Sequence, residues 1–461
     1  MSSTSASSTI EKELARALAA AKAKRFDEAT GICDDLLQRY PGLPGALALK
    51  GTTRAEAGDR EDAIALFEYA IAGDPTVANW HAKLSGLYQS VYRCEDAVRS
   101  ARVAVDLDPE NPQLLVNLAL MLIDIDDSDR AITCLLRAIG VAPNNAAAHL
   151  ALAHMLLARG ELDAGWKEYE WRNDLDMVRG TLPRISSAPW NGMRLPGRVL
   201  LISDQGYGDT IQFSRFIPEA AERCAELLVA CAPELVPLLA PITGVASCSD
   251  RWRKIPPHAA RIRLSSLPYV LNKRTEQDLA APMMPYLKAP AERVEAWKQF
   301  LEAQLAPGQR VGFAWSGRPT HPNDWRRSLK LAELRPLFGQ PNLKWVSLQK
   351  PIPERDELEF AKCNALGLSQ ALADFGETAA VVANLDLVIT VDTAVAHLAG
   401  ALGIPVWVML PKPADWRWML EGTYTPWYPS MRLFRQEAPG RWDKVVAEVA
   451  QALKEFRENK R

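Results

Sequence analysis

The chain has 461 residues, 48% of them hydrophobic, and a formal net charge of −2 at pH 7. This length allows several domains with a large buried core, and the lack of a basic excess argues against nucleic-acid binding through phosphate neutralisation. The longest apolar runs are far shorter than the roughly 18 residues that a membrane span needs, so we expect a cytoplasmic protein. The seven cysteines form no CxxC pair and are predicted to be reduced and structural, with no bound metal.

A spacing of 34 residues runs through the first third of the chain. The positions that keep it are four prolines and four alanines: Pro41, Pro75, Pro109, Pro143, Ala29, Ala63, Ala97 and Ala131. A period of 34 is that of the tetratricopeptide (TPR) helix–turn–helix repeat. The spacing therefore predicts about five repeats over residues 10–172, an α-solenoid that presents a groove to a protein partner.

One acidic stretch falls inside this array. Asp124-Ile125-Asp126-Asp127 resembles an acidic metal-binding triplet, but it stands at the turn between the two helices of the fourth repeat. Because acidic residues favour turns, the position predicts a turn and no metal site.

The period ends near residue 172, and a segment rich in proline and glycine follows over 173–197. Aromatic residues crowd around it, namely Trp166, Tyr169, Trp171 and Trp190. Since exposed tryptophan is unfavourable, this segment is predicted to be a fixed linker or docking segment.

Beyond residue 197, short β-branched runs alternate with helical stretches, a pattern typical of parallel βαβ units. It predicts two open α/β domains, 198–305 and 306–440, that face each other across a cleft. An amphipathic C-terminal helix is predicted within 441–461. The whole chain is thus of the α + α/β class.

The first predicted strand, 199–203, leads through a glycine-containing loop into a helix predicted over 210–223. Gly206 and Gly208 would let the backbone approach a ligand closely. Asp209 comes just before the predicted helix and is either its N-cap or a general base that faces the cleft. The third glycine of a dinucleotide-binding fingerprint is replaced by Ile211, which disfavours an oxidoreductase.

A second candidate segment joins a buried strand, 385–391, to an alanine-rich helix, 393–402. Asp392 falls at the carboxyl end of the strand, where ligands of open α/β sheets bind. It is either a cap or an acceptor of sugar hydroxyl protons, and the N–H of Thr393 could hold a phosphate. His397, one turn later, is either an interior histidine or a ligand contact.

The third segment is basic and follows the first strand of the second domain. The strand is predicted over 311–316, so Ser316 ends it and Gly317 follows it, and Arg326 and Arg327 come shortly after. Guanidinium groups suit a bidentate grip on pyrophosphate, although a solvated surface loop would look the same. Gln349 ends a neighbouring strand and adds a polar group.

These segments carry a resemblance to a known family. Residues 204–215 (DQGYGDTIQFSR), 311–331 and 391–410 resemble bacterial glycosyltransferases of the ADP-heptose:lipopolysaccharide heptosyltransferase superfamily, in the branch with amino-terminal TPRs. The tail stretches 415–418 (DWRW), 426–429 (PWYP) and 433–436 (LFRQ) are similar to the same branch. With the repeats, the resemblance covers nearly the whole chain.

The resemblance implies a GT-B fold without a catalytic metal or other cofactor. It places the acceptor on the first α/β domain and the nucleotide-sugar mainly on the second. It maps the proposed base of the family onto Asp209 and the donor-contacting Asp-Thr pair onto Asp392 and Thr393. Arg326 and Arg327 are the nearest matches to the residues that meet donor phosphate.

Two departures limit what is carried over. In this branch Glu usually precedes the Gln-Gly of the first loop, whereas this chain has Asp204, which is one methylene shorter. The architecture is also similar to that of eukaryotic O-GlcNAc transferase, whose groove carries a ladder of asparagines. The corresponding positions here hold Leu49, Lys83, Asn117 and Ala151. One asparagine is no ladder, so neither that peptide-binding mode nor that sugar is transferred.

The sequence therefore predicts a metal-independent, inverting transferase that passes a sugar from a nucleotide-sugar to a protein recruited by the repeats. Flagellin is a candidate acceptor, because some bacterial flagellin-modifying transferases share this two-part layout. The alternative is a non-catalytic TPR adaptor with a degenerate transferase domain. Against it stands the retention of polar residues in all three candidate segments.

Overall fold

The computed structural model describes residues 2–175, 178, 185–280 and 284–458, with the side chains of residues 2–7 left out. Two parts of the predicted docking segment, 176–177 and 179–184, lie outside the described residues. The chain divides into two compact units, Met1–Leu152 and Ala153–Arg461. None of the described helices is both long and apolar enough to cross a membrane.

The first unit is built from antiparallel helix pairs. The helices are α1 (Ser2–Lys22), α2 (Phe26–Arg39), α3 (Pro44–Ala57), α4 (Arg60–Gly73), α5 (Ala78–Ser90), α6 (Cys94–Leu107), α7 (Pro112–Asp124), α8 (Ser128–Val141) and α9 (Ala146–Ala158). The unit boundary falls inside α9. The predicted TPR solenoid is confirmed.

Every helix pair turns through one residue in the left-handed region, and these residues keep the 34-residue step. They are Lys24 (φ 58°), Gly58 (φ 91°), Tyr92 (φ 62°), Asp126 (φ 61°) and Gly160 (φ 77°). The predicted acidic turn is one of them: Asp126 takes the strained conformation, and the carboxylate of Asp127 accepts the Arg130 N–H at 3.2 Å and caps α8. These acids therefore build a turn.

The second unit begins with the end of α9 and with α10 (Leu162–Tyr169), and continues into a five-stranded parallel sheet. Its strands are β1 (Ala188–Pro189), β2 (Leu195–Ile202), β3 (Cys224–Ala230), β4 (Val245–Ser249) and β5 (Ala260–Arg263), in the order β1-β5-β2-β3-β4. The accompanying helices are α11 (Tyr207–Phe213), α12 (Ile217–Ala221), α13 (Val236–Leu239), α14 (Leu267–Val270), α15 (Glu276–Leu279) and α16 (Ala291–Gln304).

A six-stranded parallel sheet follows. Its strands are β6 (Gln309–Ala314), β7 (Leu343–Ser347), β8 (Ala365–Gly367), β9 (Leu387–Val391), β10 (Val406–Leu410) and β11 (Met431–Arg435), in the order β11-β10-β9-β6-β7-β8. Its helices are α17 (Asp324–Arg327), α18 (Arg335–Phe338), α19 (Glu357–Phe360), α20 (Phe375–Val382), α21 (Ala394–Ala401) and α22 (Trp442–Glu458). Every residue of β9 and β10 is buried, as expected of parallel strands covered on both faces.

The predicted α + α/β class is confirmed. One predicted element is wrong in its bounds: the helix expected over 210–223 begins earlier, at Tyr207, and is interrupted after Phe213 by a 3-10 turn over Ser214–Phe216. Pro218 then stands in the first turn of α12, the place in a helix that tolerates proline. The last helix, α22, packs its apolar face into the core of the second sheet.

Candidate active site

Both sheets of the second unit bring their candidate residues to a topological switch point. In the first sheet, β2 and β5 are neighbours although the chain passes through β3 and β4 between them. In the second sheet, β6 and β9 are neighbours in the same way. Ligands of open α/β sheets bind in the crevice outside the carboxyl ends of strands at such points. The loop that leads into the helix of Asp209 follows β2, and Asp392 follows β9.

Asp209 is held by the start of its own helix. The N-cap of α11 is Gly206, so Asp209 stands at the third helical position and is not itself the N-cap, which corrects its expected place; its side chain accepts the N–H of the N-cap residue, as the acid of a capping box does. One carboxylate oxygen, Oδ2, accepts the Gly206 N–H at 3.0 Å. Each carboxylate oxygen has two lone pairs, so this bond leaves Asp209 able to accept a further proton.

The other oxygen of Asp209 is paired with an arginine from the second sheet. Arg417, which follows β10, donates from Nη2 to Asp209 Oδ1. Its Nη1 donates to Asp415 at 2.8 Å, and its Nε donates to the side-chain oxygen of Gln212 at 2.7 Å. The guanidinium also lies 4.2 Å from the ring centre of Trp416. This buried arginine thereby joins the switch points of the two sheets.

Burial and the charge of Arg417 together set the pKa values of Asp209 and Asp415, the two acids that pair with this arginine. Burial raises the pKa of Asp209; Arg417 opposes that rise, and Asp415 and Asp204 add to it. Burial also acts to raise the pKa of Asp415, but Arg417 and His154 outweigh it, so the net pKa is lowered. Asp415 is therefore the permanent counter-ion of Arg417, whereas Asp209 is the carboxylate with raised proton affinity.

Asp392 follows β9 directly and precedes Thr393, the N-cap of α21. The Thr393 hydroxyl lies 3.1 Å from that of Thr390 and makes no cap hydrogen bond. Burial, with Asp415 as the next largest cause, raises the pKa of Asp392 to about 6, while Arg327 acts to lower it. Asp392 and Asp415 thus bring negative charge to the place where the family resemblance puts the donor.

This pKa predicts a pH dependence of nucleotide binding. If donor phosphate lies beside Asp392, the affinity for a nucleoside diphosphate should fall as pH rises through about 6, because the ionised carboxylate repels the anion. The nucleotide titrates in the same range, so the parent must be compared with Asp392→Asn by calorimetry between about pH 5 and pH 8. The variant should lack the extra loss of affinity; identical curves would place the phosphate elsewhere.

His397 is an interior histidine in this structure. It is buried, its Nδ1 lies 2.9 Å from the Tyr428 hydroxyl, and its ring stacks on Trp418 at 5.1 Å. Burial lowers its pKa to about 3, so the ring is neutral at physiological pH. The position of the His397 ring also explains why residue 208 is a glycine, since a Cβ there would lie 2.7 Å from His397 Cδ2. The absence of a side chain at Gly208 lets α11 pack against α21.

The two arginines of the basic segment, Arg326 and Arg327, have different neighbours in the structure. Arg327 has a side chain that is 17% exposed, its Nε is 3.4 Å from Asp324, and its charge acts on the pKa of Asp392. The guanidinium of Arg326 lies over the ring of Trp325, 4.7 Å from its centre. Of the pair, Arg327 is therefore the one whose charge acts on Asp392.

Gln349 supports the loop that follows β6. Its side-chain oxygen accepts the N–H groups of Trp315 and Ser316 at 3.1 and 3.0 Å, and its amide nitrogen donates to Ser316 and Pro351 carbonyls. The N–H of Gly317 donates to the Ser328 hydroxyl at 2.8 Å. Because its oxygen and nitrogen are both engaged with backbone, Gln349 shapes the loop at Ser316 and Gly317.

The sequence reasoning did not assign a role to Asp415 or Arg417. Their signal was present, since both lie in the DWRW stretch that carries part of the resemblance. Arg417 contacts Gln212 and Asp209, more than 200 residues away in the chain, and Asp415 pairs with Arg417; no local pattern reveals the long-range contacts.

Comparison with known proteins agrees with this architecture. The family described as glycosyltransferase family 9 (heptosyltransferase) matches residues 354–409, a range that contains Asp392, Thr393 and His397. The tetratricopeptide repeat family matches residues 122–169. Protein FlbA of Caulobacter vibrioides is 28% identical over 450 residues, which are 91% of this chain and 74% of that protein.

Solved structures resemble the chain in part of its length. A crystal structure of MamA is 18% identical with a TM-score of 0.33, over 35% of this chain and 95% of that one. A thermophilic TPR protein of Thermus thermophilus is 21% identical with a TM-score of 0.32, over 36% of this chain and 91% of that one.

A helical repeat array followed by two parallel sheets, together with these family matches, defines a glycosyltransferase. More particularly, the chain is similar to TPR-linked glycosyltransferases of the heptosyltransferase-like type.

Proposed function

We propose that this glycosyltransferase moves a sugar, with inversion, from a nucleotide-sugar to a hydroxyl group of a protein in the cytoplasm, and that it needs no metal. The observation that carries the proposal is the ion pair between Asp209 and Arg417, because it joins a carboxylate of raised pKa at one switch point to the edge of the other sheet. Flagellin is the candidate acceptor.

In this mechanism Asp209 is the general base. It takes the proton of the acceptor hydroxyl while the hydroxyl oxygen attacks the anomeric carbon, and the bond to the nucleotide phosphate breaks with its electron pair on the phosphate oxygen. A single displacement from the face opposite the leaving group inverts the anomeric carbon. The raised pKa of Asp209 suits this role, since a base works best when its pKa approaches the working pH.

Arg327 supplies the positive charge for the departing nucleotide. Arg327 acts on Asp392 at the carboxyl edge of the second sheet, and Arg417 lies beside Asp415 at the same edge. A guanidinium that is largely buried interacts with phosphate more strongly than one in water, because less solvent screens it. Arg417 is already paired with Asp209 and Asp415, so Arg327 is the group that would take the place of the divalent cation of other transferases.

The first unit offers a surface for the acceptor protein. A pocket of about 330 Å³ opens on α1, α3 and α5, and Leu49 and Lys83, two of the positions compared with the asparagine ladder, line it. Leu14, Leu18 and Trp80 also line it. This lining suits apolar side chains of an acceptor segment, and Lys83 could pair with an acidic residue next to them in that segment.

A titration with nucleotides tests the proposal first. UDP, GDP, ADP and CMP and their sugars are titrated by calorimetry with and without chelator, and nucleotide release is then followed with purified flagellin. Chelator-insensitive binding of one nucleotide class, with release that increases when flagellin is added, supports the proposal. If no nucleotide binds, the transferase proposal fails and the non-catalytic adaptor replaces it. If flagellin does not increase nucleotide release, flagellin is not the acceptor.

The two adjacent arginines form a matched pair of variants. Arg327→Ala should lower donor affinity and turnover by on the order of 10²-fold, because it removes a partly buried charge at the donor edge. Arg326→Ala should change both by less than about 3-fold, since its guanidinium lies over Trp325. Calorimetry and initial rates measure both effects. A larger loss in Arg326→Ala than in Arg327→Ala would show that Arg326 is the residue that binds the donor phosphate.

A further inference from the structure

The segment 162–172, the last part of the predicted repeat array, extends to the loop that precedes the helix of Asp209. The hydroxyl of Tyr169, the last residue of α10, accepts a hydrogen bond from the side-chain amide of Gln205 at 2.8 Å. The Tyr169 ring is buried, and burial raises the pKa of its hydroxyl to about 12, so the hydroxyl stays protonated. The contact is therefore a permanent neutral hydrogen bond.

Gln205 immediately precedes Gly206, the residue whose N–H binds the proposed base Asp209. The peptide bond after Gln205 contains the Gly206 N–H, and that N–H donates to Asp209 Oδ2 at 3.0 Å. A side chain that orients Gln205 thus orients the donor that holds Asp209.

Asp204, one residue earlier, is held from the same side. Its carboxylate accepts the hydroxyl and the N–H of Ser265 at 2.6 and 3.3 Å. Behind Ser265 lies Arg172, which is 4% exposed and donates to the Ser265 hydroxyl at 2.7 Å and to Ser266. Glu170 balances its charge at 2.7 Å. Both residues before Gly206 are therefore tied, directly or through Ser265, to the end of the repeats.

The same segment also supports Arg417, the other partner of the base. The rings of Trp166 and Tyr169 lie 5.5 and 5.8 Å from the ring of Trp416, and the Arg417 guanidinium lies over Trp416 at 4.2 Å. Trp166 also contacts Phe213 of α11 at 6.3 Å. Helix α10 thus contacts both polypeptide segments that meet in the Asp209–Arg417 ion pair.

We propose that Tyr169, supplied by the last TPR helix, is a positioning residue of the transferase and sets the geometry of Asp209 through Gln205. The inference rests on the proposed role of Asp209 as the base. It makes the end of the repeat array an integral part of the catalytic centre, in addition to any part that the array has in acceptor binding.

Tyr169→Phe removes only the hydroxyl, and Gln205→Met removes the amide at similar length. Each should lower kcat about 5- to 10-fold, the range expected for loss of one hydrogen bond at a catalytic loop, with donor KM within about 2-fold of the parent. The double variant should be no slower than the slower single variant, since both changes remove the same bond. Tyr88→Phe is the matched control, because Tyr88 is a buried tyrosine of the first unit that donates to Glu68.

The assay is nucleotide release from the donor selected by the titration, with flagellin and with water alone as acceptor. Parental kcat in Tyr169→Phe and Gln205→Met, or losses that multiply in the double variant, would overturn the positioning role. If Asp209→Asn retained parental release, the proposed base would be wrong instead, so the two failures are distinct. Gln205 is exposed, so its variant tests the bond even if Tyr169→Phe lowers the melting temperature.

Discussion

Asp209→Asn should lower kcat for sugar transfer by on the order of 10³-fold and leave nucleotide affinity within about 3-fold of the parent. The amide keeps the volume of the carboxylate and can still accept the Gly206 N–H, but it cannot take a proton at neutral pH. Nucleotide release at saturating donor measures the loss, and calorimetry measures the affinity. The expected result is a chain that binds the donor and does not use it.

Glu226→Gln is the matched control for this loss of a carboxylate. Glu226 lies in β3 of the same sheet, and its ion pair with Arg198 is exposed, so the change should leave kcat and stability nearly unaltered. Glu226 is also the acid nearest to the spacing of a ribose-binding residue in a dinucleotide fold. A large effect there, with an active Asp209→Asn, would favour the dinucleotide hypothesis over the transferase mechanism.

Arg417→Leu should destabilise the fold by about 3–5 kcal/mol, since it leaves Asp209 and Asp415 as acids without their shared cation. Its Nε also satisfies the side-chain oxygen of Gln212, which is fully buried. Denaturant unfolding measures the loss. Asp415→Asn serves as a second variant that keeps the arginine in place, and it should cost less because Arg417 retains Asp209.

The deficit of Arg417→Leu should depend on pH. Without the cation the pKa values of both acids rise above their unfolded values, so the folded chain binds more protons than the unfolded chain between those values. Stability then falls as pH rises through this range, and the deficit relative to the parent should be smaller near about pH 4 than near about pH 8. A deficit equal at both pH values would show that the ion pair contributes little to folding.

Periodic and buried elements were readable from the sequence. The 34-residue step predicted the helix pairs, and the same step recurs in the left-handed turn residues from Lys24 to Gly160. Strand β10 occupies the predicted residues 406–410, because a short apolar run between turn residues is typical of a buried strand in an α/β fold. The start of α11 was missed, because glycine at the N-cap and at the second helical position hides the helix signal.

The sequence by itself determined the repeat array, the alternation of strands and helices, and the polar residues that end the strands, because each of these follows from local periodicity and turn chemistry. The tertiary structure alone decided which of those residues meet. Arg417 pairs with Asp209 across 208 positions of the chain, the charge of Arg327 acts on Asp392, and Tyr169 of the last repeat holds Gln205. Such pairings depend on how the sheets and α10 pack together, and burial, which sets the proton affinity of the acids, exists only once they have packed.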